Sequence, residues 1–139
     1  MIYGVGIDLV SISRVERMLE KWGERFVDRV FTRSEIVHCN ARPRPAAAYA
    51  LRFAAKEAFS KALGTGIKRG LTLRDIETVS LPGGKPVLRI HGKAGRFCAD
   101  AGISACHVSL SDEGAYGSAV VVLETVEQDG MKAVRKTDG

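Results

Sequence analysis

Apolar and polar positions along the chain predict strands near both ends and helices between them. Residues 2–10 alternate small and apolar side chains, which is typical of a buried strand. Apolar residues then recur every three or four positions, which predicts a helix from Ser13 to Trp22. Ser13 and Glu16 have the spacing of a capping box at its start, and Gly23 is suited to its end.

Two further helices are predicted in the middle of the chain. Thr32 and Glu35 form a second capping box, which begins a short helix that ends near Cys39. Pro45 is suited to the first turn of another helix, which should extend to about Leu63. This last helix is the longest predicted element.

The second half of the chain is mostly β. Residues 76–81 and 86–90 flank the sequence PGGK, which indicates a β-hairpin. Residues 93–101 favour a short helix. Two more strands, 106–110 and 119–125, are predicted around the turn SDEGAYG.

Together these elements predict an α+β protein in which an antiparallel sheet packs on the long helix. A chain of 139 residues favours one domain, which we expect to span residues 1–126, followed by a polar, flexible tail at 127–139. The net charge of +5 favours anionic partners without choosing among them. A nucleic-acid-binding protein fits the charge, but aromatic residues are only 6% and the basic residues are dispersed.

The cysteines and the apolar runs indicate the compartment. Cys39, Cys98 and Cys106 have neither metal-finger nor C-x-x-C spacing, so we expect reduced thiols in a cytoplasmic protein. No secretory signal is visible, and the apolar runs are too short for membrane insertion.

The long predicted helix has one apolar stripe and two polar flanks. The stripe is rich in alanine, which lets another element approach the backbone closely: Leu51, Ala54, Ala55, Ala58 and Ala62. Glu57 and Lys61 lie together on one flank, and Arg52 and Lys56 lie on the other. The Glu57–Lys61 spacing fits an ordinary surface ion pair as well as part of a site. The GTG that follows is compatible with a plain helix cap or with a close approach of a ligand.

Asp8 is a carboxylate in the middle of an apolar strand. Burying an ionised carboxylate costs on the order of several kcal/mol unless the carboxylate is paired, hydrogen-bonded or bound to a metal. One interpretation is a salt bridge to an Arg or Lys at the edge of the core. The other is that Asp8 and Glu57 meet across the strand–helix contact and share a divalent cation, since Mg²⁺ is usually held by two carboxylates, phosphate oxygens and water.

Four segments, in this order and spacing, resemble one known family: GIDLVSISRVER, RFAAKEAFSKALGTGI, GGKPVLRIHG and HVSLSDE. The chain resembles the holo-acyl-carrier-protein synthases, which are the small bacterial type of 4′-phosphopantetheinyl transferase, over roughly residues 2–125. The resemblance implies the fold of that family. It also implies an enzyme that transfers the phosphopantetheine arm of coenzyme A to a serine of apo acyl carrier protein, releasing 3′,5′-ADP, for fatty acid biosynthesis.

The same resemblance assigns the chemistry to three residues. Asp8 and Glu57 match the two Mg²⁺ ligands of the family, and the metal would neutralise charge at the coenzyme A pyrophosphate. Glu57, directly or through a water, is the candidate to take the serine proton. Lys61 matches the lysine expected at the pyrophosphate. All three being present argues against a degenerate relative that only binds the carrier protein.

Further residues match positions that bind coenzyme A, the carrier protein or another subunit. Arg52 matches a residue that binds the 3′-phosphate of coenzyme A. His107 matches a residue near the phosphates, and a purely structural role for it stays equally open. The full nucleotide-binding set is Arg52, Lys61, Gly64, Gly66, Gly84, Lys85, Pro86, His107 and Ser109. A basic helix face, otherwise a plain solvated face, matches the surface that docks the acidic helix of the carrier protein: Arg14, Arg17, Met18, Lys21 and Arg25. The family also implies a homotrimer with active sites between subunits.

Overall fold

The structure is a computed structural model that describes residues 1–64 and 70–126. The predicted tail, 127–139, and the candidate Gly66 lie outside the described residues. The elements in chain order are β1 Ile2–Ser11, α1 Ile12–Trp22, α2 Glu24–Val30, α3 Arg33–Asn40, α4 Pro45–Leu63, β2 Ile76–Ser80, β3 Pro86–Ile90, α5 Gly92–Asp100, β4 Ile103–Glu113 and β5 Tyr116–Thr125.

The long helix α4 is the centre of the molecule. β1, β5 and β4 form an antiparallel sheet in the order β1-β5-β4, and β2 and β3 form a separate hairpin. α4 packs against β1 and β5 on one side and against β2 on another. The prediction of an α+β fold with antiparallel strands on the long helix is confirmed, although the strands are divided between two sheets.

Two glycines in β1 allow the strand to lie directly on the backbone of α4. A Cβ atom added at Gly6 would lie 1.8 Å from the Ala58 carbonyl oxygen, and one at Gly4 would lie 2.0 Å from the Ala62 carbonyl oxygen. No side chain fits in such a space, so glycine is required at both strand positions. The close approach expected from the alanine stripe is therefore observed, and it brings the next inward-facing residue, Asp8, beside the helix.

The first helix begins differently from its prediction. β1 continues to Ser11, and the Ser11 hydroxyl, rather than that of Ser13, accepts a hydrogen bond from the Arg14 backbone N–H at 3.3 Å. Glu16 is then too far along the helix to complete a capping box with Ser11. The predicted capping box at Ser13 is wrong because the chain passes from strand to helix without a connecting loop.

Several element boundaries also differ. Gly23 ends α1 as predicted, but a second helix, α2, follows at once, and the prediction missed it. β4 and β5 are longer than expected because their pairing continues to Glu113 and Tyr116. The turn between them is therefore only two residues long, Gly114 and Ala115, within the seven-residue segment that was expected to be a turn.

A buried ion pair joins α3 to α4. The Lys56 Nζ donates to Glu35 Oε1 at 2.7 Å and to the Leu73 carbonyl oxygen at 2.9 Å. The other Glu35 oxygen accepts from the Thr78 backbone N–H at 3.1 Å. Glu35 also completes the predicted capping box with Thr32, which is confirmed. A fully buried carboxylate thus fixes a helix start, the long helix and β2 to one another.

Two other expectations concern cysteines and membranes. All three cysteines are free thiols, and burial raises the pKa of Cys39 to about 12 and that of Cys106 to about 11. These thiols are therefore protonated and poorly nucleophilic at neutral pH. Across residues 1–64 and 70–126, none of the helices combines the length and the apolarity needed to cross a bilayer.

Candidate active site

Asp8 occupies the helix-facing side of β1, where the strand lies against α4. The Lys61 Nζ donates to Asp8 Oδ1 at 2.9 Å and to the Ile7 carbonyl oxygen at 3.0 Å. The first interpretation of Asp8, a salt bridge at the edge of the core, is therefore observed. The pair is open to solvent on the lysine side, because the Lys61 side chain is 55% exposed and the Asp8 side chain is 16% exposed.

Glu57 lies one helical turn before Lys61, close enough to Asp8 for the two carboxylates to influence each other. Burial raises the pKa of Glu57, and repulsion from Asp8 raises it further. Lys61 and Arg14 act in the opposite direction without cancelling the increase. A carboxylate with a raised pKa is a better proton acceptor near neutral pH than an ordinary glutamate.

The two carboxylates have the donor chemistry of a divalent cation site. Lys61 occupies only Asp8 Oδ1. Among residues 1–64 and 70–126, no hydrogen-bond donor reaches Asp8 Oδ2 or the Glu57 carboxylate. No third His, Cys, Asp or Glu joins them in this part of the chain. Such a pair fits Mg²⁺, which takes one or two carboxylates and fills its octahedron with substrate oxygens and water.

Helix α4 ends beside this carboxylate pair. Gly64 terminates the helix in the left-handed conformation, with φ of 81°, and its N–H donates to the Ser60 and Lys61 carbonyl oxygens. The helix-cap interpretation of Gly64 is therefore observed. The neighbouring candidate Gly66 is outside the described residues.

A second cluster of candidate residues lies on another side of α4. At 3.6 residues per turn, Arg52 is about 180° around the helix from Lys61. Arg52, Gly84, Lys85, Pro86 and Ser109 line one cavity of about 540 Å³. Gly83 and Gly84 turn the β2–β3 hairpin with positive φ angles of 94° and 92°, which presents Lys85 at the rim.

Arg52 is a buried cation in this cavity, and no carboxylate of residues 1–64 or 70–126 pairs with it. Arg52 is 4% exposed, and among the described residues its Nη2 donates a hydrogen bond only to the Ser80 hydroxyl, at 3.5 Å. The Arg52 Nε has no hydrogen-bond partner among the described residues. A buried guanidinium of this kind is costly unless an anion completes its hydrogen bonds, so the cavity is suited to an anionic ligand.

Comparison with known proteins identifies the family of the chain. The family model of the 4′-phosphopantetheinyl transferase superfamily matches residues 4–120. The chain belongs to this superfamily.

Individual relatives match along nearly the whole of their length. A holo-[acyl-carrier-protein] synthase of Geobacter metallireducens is 50% identical over 126 residues, which cover 91% of this chain and 100% of that protein. The crystal structure of the Neisseria meningitidis synthase has a TM-score of 0.84 at 38% identity and covers 90% of this chain and 100% of its own. The Bacillus anthracis synthase, in complex with CoA (3′,5′-ADP), has a TM-score of 0.75 at 36% identity and covers 91% of this chain and 99% of its own.

Among the nucleotide-binding candidates of this superfamily member, His107 lies outside the cavity around Arg52. His107 pairs with Val122 of β5, which in turn pairs with Val5 of β1, so His107 is on the outer face of the sheet, away from α4. Its ring contacts Glu124 on the same face. The structure therefore does not bring His107 together with Asp8 or with Arg52 within one chain.

The basic helix face of this transferase borders an apolar groove. Arg14, Arg17 and Lys21 are exposed on α1, and Lys21 Nζ lies 5.0 Å from the centre of the Trp22 ring. The groove between α1 and α2 has a volume of about 540 Å³ and is lined by Met18, Trp22, Arg25, Phe26, Arg29 and Val30. Sequence reasoning missed the α2 part of this groove, although Phe26 and Val30 have helical spacing.

Proposed function

We propose that this protein transfers the 4′-phosphopantetheine arm of coenzyme A to a serine hydroxyl of apo acyl carrier protein, with release of 3′,5′-ADP. It would thus serve fatty acid biosynthesis as a holo-[acyl-carrier-protein] synthase. The observation that carries this proposal is the contiguous cluster of Asp8, Glu57 and Lys61, with a raised Glu57 pKa, in a member of this superfamily.

The chain's own residues supply the proton transfer and the charge neutralisation. The serine oxygen attacks the phosphorus that carries the pantetheine arm, and the phosphoanhydride bond to the nucleotide breaks. Glu57 accepts the serine proton, because its raised pKa makes it a stronger base than an ordinary glutamate. Lys61, whose ammonium is exposed beside Asp8, binds the pyrophosphate and stabilises the charge that develops on the departing 3′,5′-ADP.

Asp8 and Glu57 are the residues proposed to hold Mg²⁺, since both present carboxylate oxygens that no described group occupies. When bound, the ion would neutralise pyrophosphate charge as the phosphoanhydride bond breaks. Lys61 would then exchange its contact with Asp8 for one with the substrate. The mutual repulsion of the two carboxylates favours cation binding for a simple electrostatic reason.

The nucleotide of coenzyme A is proposed to occupy the cavity around Arg52. Arg52, which has no anionic partner among the described residues, suits the 3′-phosphate, and Lys85 and Ser109 lie in the wall of the same cavity. Gly84 and Pro86 would lie against the nucleotide. The Bacillus anthracis relative binds coenzyme A, which supports a coenzyme A site somewhere in this chain.

We propose a homotrimer whose active sites lie between subunits. The outer face of β1 exposes four apolar residues, Tyr3, Val5, Ile7 and Leu9, at 40%, 56%, 65% and 64%. A contiguous apolar face of this kind is typical of a subunit interface. The catalytic cluster and the Arg52 cavity lie on opposite sides of α4, so one subunit would supply the carboxylates and its neighbour Arg52. His107, on the outer face, would then approach the phosphates of a neighbouring subunit's site.

The carrier protein is proposed to dock on α1 and α2. Arg14, Arg17, Lys21 and Arg25 would pair with acidic residues of its recognition helix, and Met18 would contact an apolar side chain. The apolar groove beside Met18 gives this surface the combination of charge and hydrophobicity that an amphipathic helix requires.

The proposal is tested by incubating apo acyl carrier protein with this protein, coenzyme A and Mg²⁺, and by measuring the carrier's mass. We expect a gain of one phosphopantetheine, which EDTA abolishes. The Glu57→Gln variant is the matched control for a contaminating activity. No mass gain with the wild-type protein on several bacterial carrier proteins would refute the assigned reaction.

Mixing two inactive variants tests the shared active site. Glu57→Gln and Arg52→Ala inactivate different halves of each site, so a co-refolded 1:1 mixture should regain roughly a quarter of the sites if the two halves come from different subunits. Activity that stays at the level of the separate variants would place both halves in one subunit. Light scattering of the wild-type protein would independently report three copies.

A further inference from the structure

His38 lies where two neighbouring cavities meet, and the proposed function does not use it. With Arg42 and Arg52 it lines both the cavity of about 540 Å³ and an adjoining one of about 270 Å³. His38 is half-buried in the last turn of α3, so its ring is held at a helix C-terminus. The His38 imidazole, whether neutral or protonated, therefore borders the proposed phosphate site around Arg52.

We propose that His38 is a further phosphate-binding residue, which takes up a proton when a phosphomonoester dianion enters the cavity beside Arg52. This inference rests on the proposed function, because it assigns His38 to the same substrate. It makes coenzyme A binding a proton-coupled step in this chain.

The cationic groups around His38 favour its neutral form when no anion is bound. Arg52 faces it from α4 and Arg42 from the connection between α3 and α4. Lys85 lies in the wall of the larger cavity, while Arg44 and Asp112 lie in the wall of the smaller one. Burial lowers the pKa of His38, and Arg52 and Arg42 lower it further.

A bound phosphate reverses this balance. A phosphomonoester carries nearly two negative charges at neutral pH, which pair with the guanidinium groups and remove their repulsion of an imidazolium. The negative end of the α3 dipole then also favours the charged ring. A protonated His38 can donate a hydrogen bond to a phosphate oxygen, which neutral imidazole does less strongly. Because the ligand raises the His38 pKa, affinity increases as the pH falls through the pKa of the complex.

The 3′-phosphate is the phosphomonoester of coenzyme A, whereas its pyrophosphate is esterified at both ends and carries one charge per phosphorus. They can be separated with small nucleotides. 3′,5′-ADP carries the 3′-phosphate, whereas 5′-AMP lacks it. Proton uptake with 3′,5′-ADP alone assigns His38 to the 3′-phosphate, and equal uptake with both assigns it to the 5′ side.

The test is calorimetric titration of the full protein with 3′,5′-ADP at pH 7.5 in buffers of different ionisation enthalpy, which gives the protons taken up per ligand. The wild-type protein should take up a substantial fraction of one proton. His38→Gln should abolish this uptake and weaken binding about tenfold, the loss of one hydrogen bond to a charged group. His91→Gln is the matched control, since His91 contacts Glu77 and not the cavity.

A second measurement does not depend on any variant. The NMR signal of the His38 C2 proton, followed against pH, should report ring protonation at higher pH in the nucleotide complex than in the free wild-type protein. The same titration curve in both states, or unchanged proton uptake in His38→Gln, would overturn the inference. Failure of the wild-type protein to bind 3′,5′-ADP would instead refute the proposed function and this inference together, so the two failures are distinguishable.

Discussion

Helix α4 carries two lysine–carboxylate pairs that have the same chemistry and opposite surroundings. Lys56 and Glu35 are both 0% exposed and lie 2.7 Å apart, whereas the side chains of Lys61 and Asp8 are 55% and 16% exposed and lie 2.9 Å apart. Distance therefore does not distinguish the two pairs. What distinguishes them is whether the polar atoms still have capacity for another partner.

The buried pair has no such capacity. Lys56 donates to Glu35 and to two backbone carbonyl oxygens, and Glu35 accepts from Lys56 and from the backbone N–H groups of Thr32, the N-cap of α3, and of β2. In the exposed pair no described group occupies Asp8 Oδ2, and Glu57, a second carboxylate, lies beside it. The buried pair is thus suited to fixing the fold, and the exposed pair is suited to exchanging partners with a substrate.

The largest effect is expected from removing the lysine of the buried pair. Lys56→Met leaves a buried, uncompensated Glu35, which should lower the free energy of unfolding by about 3–5 kcal/mol. The same substitution in the exposed pair, Lys61→Met, should change it by about 1 kcal/mol or less. Urea denaturation of both variants measures the contrast.

A double variant separates charge from packing in this experiment. Adding Glu35→Gln to Lys56→Met removes the uncompensated charge, so the double variant should be more stable than Lys56→Met alone. Equal losses for the two single lysine variants would contradict the distinction between the pairs, because that result would give both the same structural role.

The next largest effect concerns Glu57 and appears in the reaction rate. Glu57→Gln keeps the shape of the side chain but removes the base and one proposed Mg²⁺ ligand. Phosphopantetheine transfer should fall by at least about a hundredfold, or ~2.7 kcal/mol of activation free energy, at pH 7. The free energy of unfolding should not decrease. Wild-type activity in this variant, measured by carrier mass over time, would contradict the assignment of Glu57.

These expectations show which parts of the molecule local sequence patterns predict. The alanine stripe on α4 and the carboxylate at Asp8 follow from periodicity over a few residues, so the strand–helix contact was predictable. The partner of Lys56 was not, because Glu35 is 21 positions away and only the packing of α3 on α4 brings it near. For the same reason no local pattern associates His38 with Arg52.

A smaller effect is the pH dependence of stability, to which Glu57 and Glu77 should contribute with opposite signs. Burial alone would raise the pKa of Glu77, but hydrogen bonds from Ser34, Thr32 and His91 outweigh it and lower this pKa to about 2. Glu77 therefore contributes stability above pH 4.5 that is lost as the pH falls towards 2. The raised Glu57 pKa has the opposite sign, because its contribution is present below pH 4.5 and is lost as the pH rises through the folded-state value.

Denaturation at several pH values measures how the contributions of Glu57 and Glu77 to the free energy of unfolding change with pH. Glu77→Gln should be less stable than the wild-type protein at pH 7, and the difference should shrink in acid. Glu57→Gln should be as stable as the wild-type protein or more so at pH 7, and should lose this advantage in acid. Parallel pH curves for the two variants would contradict the opposite shifts.

The smallest effect is expected where the docking surface meets the active site. Arg14 lowers the pKa of Glu57, so Arg14→Gln should move the acid limb of the rate profile to higher pH as well as raise the KM for the carrier protein a few-fold. Arg25 belongs to the same basic face but does not contribute to the Glu57 pKa. Arg25→Gln should therefore raise the carrier KM without moving the pH profile, and neither variant should change the KM for coenzyme A. Steady-state rates between pH 5 and pH 8 test the pair. If neither variant moves the profile, Arg14 acts only through docking, and its charge does not influence Glu57 during the reaction.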